Sequence, residues 1–149
     1  MTQESSIIEE LLEQEAQLTT PLFHWSHKIR TQLWPHYKAM ANARGHWAKN
    51  APAIKNWRSL ANGAAFRHPP IPATAYPVRA LLVIQFPDNR GRDSNNFSPT
   101  IKAIVDGFVQ AGLLAEDNPR YVVGQDCRAL NNSGVKDYIL FDTYLLAQR

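Results

Sequence analysis

The sequence predicts an α+β fold: a small mixed β-sheet packed by two principal helices, with an N-terminal helical extension. Three observations carry this. Val78–Ile84 is a nearly unbroken apolar run, short and β-branched enough for a buried strand. Ser98–Gly112 has helical apolar spacing between a start signal and a stop signal. Asp137–Leu146 alternates, with Ile139, Phe141 and Leu145 on one parity, as a half-buried strand does. A chain of 149 residues is one ordinary domain, long enough to bury a core.

Taken in order, Ser6-Ile7-Ile8-Glu9 fits a capping box, and Ile7, Ile8, Leu11, Leu12 and Leu18 share one apolar face. Thr19-Thr20-Pro21 ends that helix, so residues 1–20 form an amphipathic extension ahead of a domain over 21–149. At about 13 residues the helix is too short to stand alone. It must dock on this subunit, on a partner subunit or on another protein. Leu22, Phe23, Trp25, Ile29, Leu33 and Trp34 predict a helix that ends before Pro35, with Pro35–Met40 extended. Asn42-Ala43-Arg44-Gly45 reads as a turn. Asn50-Ala51-Pro52 opens the first principal helix, which runs to about Phe66 and buries Ile54, Trp57, Ala61, Ala64 and Ala65. His68-Pro69-Pro70-Ile71-Pro72 is a stiff connector. The strand over Tyr76–Phe86 ends at Pro87, and the loop Asp88–Arg92 delivers Asp93 to its mouth. In the second helix Ser98 is the N-cap, Pro99 suits the first position, and Gly112 stops it in a left-handed turn. Tyr121–Val123 is a short strand, Gly124–Asp126 a turn, and Asp137–Leu146 the closing strand.

Composition excludes several classes. Cys127 is the one cysteine, so no internal disulfide forms and a reducing, cytoplasmic compartment is expected. The acidic N-terminus has no secretory pattern, and no stretch reaches the roughly 20 apolar residues of a membrane span. His24, His27, His36 and His46 have neither acid nor thiol neighbours and fit no zinc spacing. The net charge of +3 is unevenly spread. Residues 1–15 carry five acids and no base, residues 16–87 nine bases and no acid, and residues 88–149 seven bases and eight acids. A basic half joined to an acid-rich half suits a protein that holds phosphates on one surface and a cation in one pocket.

The acid-rich half concentrates its chemistry in Arg92–Asp117. Asp93 precedes the helix, Lys102 and Asp106 share a face at i and i+4, and Glu116-Asp117 follow the stop. A helix of about 13 residues spans roughly 20 Å, so Asp93 and Asp117 meet only if the chain folds back after Gly112. Two carboxylates brought together need a cation between them. Lys102 has a plain alternative role, an i,i+4 salt bridge to Asp106 of a few tenths of a kcal/mol.

The pattern Arg92-Asp93-x-x-Asn96, a helical Lys102 followed by Asp106, then Ala111-Gly112-Leu113-Leu114 and Glu116-Asp117, resembles the RusA-type Holliday-junction resolvases. Weaker similarity reaches Asn42–Trp47 and Trp57-Arg58. The resemblance implies a dimeric, magnesium-dependent endonuclease, with Mn2+ substituting, that cuts branched double-stranded DNA in recombination or repair. Carried over by residue, Asp93 and Asp117 are metal ligands and Lys102 assists cleavage. The family's Asp-x-Asp-Asn motif is Asp93-Ser94-Asn95-Asn96 here, so an amide stands where its second carboxylate would. Asn96, Glu116 and Asp126 are candidates to complete the site beside Asn95. Arg44, Lys49, Lys55, Arg58, Arg90 and Arg92 are the candidate DNA contacts. The alternative is a branched-DNA-binding protein of the same fold whose metal site is impaired by Asn95.

Overall fold

A computed structural model of the chain describes residues 21–41 and 47–147, with side chains omitted at 47 and 48. The predicted N-terminal helix and the Asn42–Gly45 turn lie outside the described residues. The architecture is α+β, as expected. Strands β1 (Pro21–Arg30), β2 (Val78–Gln85), β3 (Val122–Leu130) and β4 (Tyr138–Ala147) form one mixed sheet in the order β1-β4-β2-β3. β4 is antiparallel to both β1 and β2, while β2 and β3 are parallel. Helices α1 (Trp47–Ala65) and α2 (Ser98–Gln110) share the main core with the sheet. No helix among the described residues is long and apolar enough to cross a membrane.

The apolar run explains why β2 is central. Val78, Ala80, Leu82 and Ile84 point into the main core, while Leu81 and Val83 are buried on the opposite sheet face with Leu146. A strand buried on both faces needs no polar alternation. α2 is the best-signalled helix and buries Ile101, Ala103, Ile104, Val105, Gly107 and Phe108. Gly112 has φ +83°, and Leu113 N–H donates to the Phe108 carbonyl at 3.0 Å, closing the helix where the glycine predicts.

Four expectations are corrected. Residues 22–34 are not a helix: Pro21–Arg30 is a strand, and Thr31–His36 is a 3-10 turn containing Pro35, not extended chain. Period two is present there, with Phe23, Trp25 and Ile29 toward the core and exposed His24, Ser26 and Lys28 between them. Pairing with β4 selects it over the helical spacing. Gly124–Asp126 is not a turn but the middle of β3; Gly124, at φ +69°, sits in a bulge where three steps of β3 match two of β2. Ser98 is already helical, because the 3-10 turn Ser94–Phe97 precedes it and Asp93 caps that turn instead. The first principal helix begins by Trp47, with Asn50 inside it and bonded through its side chain to Met40, so Asn50 opens nothing.

Two close contacts fix the helix layer. At Gly107 a Cβ would lie 2.5 Å from the Arg58 carbonyl and 2.7 Å from Ala61 Cβ, so glycine lets α2 ride directly on α1. Trp57, fully buried on α1, donates its Nε1–H to the Tyr37 carbonyl at 2.7 Å and packs against Phe141 at 4.6 Å between centroids.

Candidate functional site

The N-terminal end of α2 is anchored from three directions. Asp93 accepts the Asn95 N–H at 3.0 Å, the Ala129 N–H donates to Ser94 Oγ at 2.9 Å, and Thr100 Oγ1 donates to the Ala39 carbonyl at 2.8 Å. β3 and the segment before α1 therefore hold the turn that presents Asp93 and Asn95, both exposed.

On the outer face of α2, Lys102 Nζ donates to Asp106 at 3.1 Å and also pairs with Asp117. The turn at Gly112 returns the chain so that residues 15 apart in sequence meet. Arg58 approaches the other Asp106 oxygen at 3.9 Å, a consequence of the close approach at Gly107. The Asp117 hydrogen bond, then Asp106, holds the Lys102 ammonium above its ordinary pKa, and the same bond holds the Asp117 carboxyl below its own. These groups are substantially exposed, so the pairs contribute at most about 1 kcal/mol each. The signs define a pH window. The depressed Asp117 pKa contributes stability above about pH 4 that is lost as pH falls further; the raised Lys102 pKa contributes below about pH 10 and is lost as pH rises. Carboxyl-carbon NMR is expected to place the Asp117 midpoint below the usual aspartate range, and Lys102→Met to return it there. A midpoint unmoved by Lys102→Met would show that the pair does not persist in solution.

The sequence-derived residues fall into separate groups. Lys102 and Asp117 are in contact; Asp93 precedes α2 and is bonded to its own turn. Glu116 accepts from the Asn118 amide at 2.7 Å. Asp126 lies on β3 and pairs with Arg79 at 2.9 Å, on the strand face opposite the core-facing Cys127. Lys49, Lys55, Arg58 and Arg90 are exposed, and Arg44 is outside the described residues. Arg92 is committed internally: it bonds Asp88 at 2.6 and 3.0 Å and Asn131 at 3.0 Å, with its guanidinium 3.7 Å from the Phe86 ring centroid.

A second feature was not foreseen. A cavity of about 450 Å³ opens between the Thr31–His36 turn and the loop before Asp93, with Trp34, Lys38, Arg90, Asp93 and Asn96 in its lining. Its sequence signal was hidden because Trp34 and Lys38 are far from Asp93 in the chain. Elsewhere burial pushes the Cys127 thiol up to about 12, which leaves it protonated and unreactive at neutral pH.

The oxygen donors near α2 are of the kind magnesium prefers. Among the described residues no three acidic, histidine or cysteine side chains gather around one point, and Lys102 already bonds both Asp106 and Asp117.

No family model matches the chain, and no curated protein matches it. Among solved structures it is similar to a chain of the crystal structure of the HypE-HypF complex, at 14% identity and a TM-score of 0.32. That match covers 95% of this chain and 42% of the other, so the chain spans less than half of that neighbour's length.

Proposed function

We propose that the chain is a RusA-type endonuclease that binds branched double-stranded DNA and hydrolyses its phosphodiester bonds. The observation that carries this reading is the meeting of Lys102 and Asp117 across the Gly112 turn, two residues that the motif resemblance places in one site. In the reaction a water oxygen attacks phosphorus, the bond to the leaving sugar oxygen breaks, and that oxygen takes up a proton. Lys102 supplies positive charge beside the phosphate as negative charge builds on its oxygens. Magnesium is the cofactor this reading names; Asp93 and Asp117 would hold it and it would supply charge for the phosphate, and at Asp117 it would take the place of the Lys102 pair. Exposed Lys49, Lys55 and Arg58, all on α1, offer phosphate contacts on the acid-poor side.

The working unit in this reading is a homodimer, because a four-way junction has two-fold symmetry and each chain offers one site. Of the apolar residues of 22–34, Leu22, Phe23, Trp25 and Trp34 pack partly buried on the core of their own chain, while Leu33 is exposed. Light scattering is expected to give about twice the chain mass of 16.9 kDa; a chain that stays monomeric on junction DNA would contradict the dimer.

Asn95 favours a second reading, a junction-binding protein with an impaired metal site. The experiment that separates the two compares the natural chain with Asn95→Asp on a labelled four-way junction in magnesium. Nicking by the natural chain supports hydrolysis. Nicking gained only by Asn95→Asp identifies the impaired form.

A further inference from the structure

The cavity beside Asp93 has a chemistry of its own. Its described walls include Trp34, Phe86 and Phe97, and Trp34 lies 5.9 Å from Phe86 and 6.4 Å from Phe97 between ring centroids. At about 450 Å³ it falls within the range of roughly 300–1,000 Å³ that small-ligand pockets occupy. Asp88 and Arg92 neutralise each other in a two-bonded pair, so the lining charge that remains is Lys38 and Arg90 against Asp93. Lys38 and Arg90 are exposed, while Asn96 is half-buried and brings an amide with both donor and acceptor capacity. The half-buried Trp34 indole backed by buried Phe86 and Phe97, an amide to read a hydrogen-bonding edge and two exposed cations fit a planar heterocycle carrying one negative charge.

We propose that this cavity is a nucleotide subsite: it takes one unstacked base against Trp34 and holds that nucleotide's phosphate at Lys38 and Arg90. Placement beside Asp93 makes it the seat of a nucleotide next to the cleaved bond, an inference that rests on the nuclease reading above. At a branch point continuous stacking is interrupted, so turning out a base there costs less than within an unbroken duplex.

The test separates base from phosphate. Affinity is measured by fluorescence anisotropy for a short thymidine oligomer and for an abasic oligomer of equal length, which keeps every phosphate and loses the bases. The natural chain is expected to bind the abasic oligomer about tenfold more weakly, the scale of one base–aromatic stack. Trp34→Ala should bring that ratio close to one, and Lys38→Glu should weaken both oligomers while keeping the ratio. Thermal melting checks that each variant folds; if Trp34→Ala does not, Lys38→Glu decides, and undiminished affinity for both oligomers overturns the subsite. Free thymidine monophosphate forms the second arm. Saturable binding lost in Lys38→Glu means the subsite also takes loose nucleotides, whereas no binding alongside an abasic penalty confines it to nucleotides within a strand. Equal affinity of the natural chain for the two oligomers overturns the proposal. Junction binding measured in parallel keeps the two ideas apart: a chain that binds junctions but ignores the missing bases loses only the subsite, and a chain that binds no DNA loses the nuclease reading as well.

Discussion

Asp93→Asn and Asp117→Asn are each expected to lower junction nicking by at least about a hundredfold, the scale seen when one charge-stabilising group leaves a reaction centre. Neither change should unfold the chain. Asn remains a good cap, so the bond that Asp93 accepts from the Asn95 N–H at 3.0 Å can be kept. Asp117 is exposed enough that losing its pair with Lys102 removes at most about 1 kcal/mol. Junction affinity should hold or rise in both variants, because each loses a negative charge that repels phosphate. Cleavage undiminished in both would remove these carboxylates from the mechanism.

Trp57→Ala is expected to destabilise the chain by about 3–5 kcal/mol, the usual loss for a fully buried Trp. Three contributions add in the same direction. The side chain is 0% exposed, its Nε1–H satisfies the Tyr37 carbonyl at 2.7 Å, and it joins the helix layer to the sheet through Phe141. A urea titration should show a much lower midpoint with little change in slope. A loss below about 1 kcal/mol would mean that the core closes over the gap far better than such cores do.

How much was legible in the sequence followed how local each signal was. α2 and β2 were readable because their determinants lie within the segment: Pro99 and Gly112 bracket one helical stripe, and Val78–Ile84 is apolar enough to be buried on both sides. β1 was misread because its apolar residues satisfy two periods at once, and the choice is made by β4, more than a hundred residues later. β3 was cut short because Gly124 looks like a turn when its bulge depends on the register with β2. The site shows the same division. The Lys102–Asp106 pair is legible from helix spacing, whereas the turn at Gly112, expected to carry Asp117 back to Asp93, brings it to Lys102. The Trp34–Asp93 cavity is not legible, since it joins a turn after β1 to a loop after β2 that no local pattern connects.

The central claim is tested most directly by incubating the natural chain with a labelled four-way junction and with a matched linear duplex, each with and without magnesium. The proposed function predicts paired nicks near the branch point in magnesium, none when the metal is chelated, and an intact duplex throughout. A junction left uncut under both conditions and bound no more tightly than the duplex would contradict it.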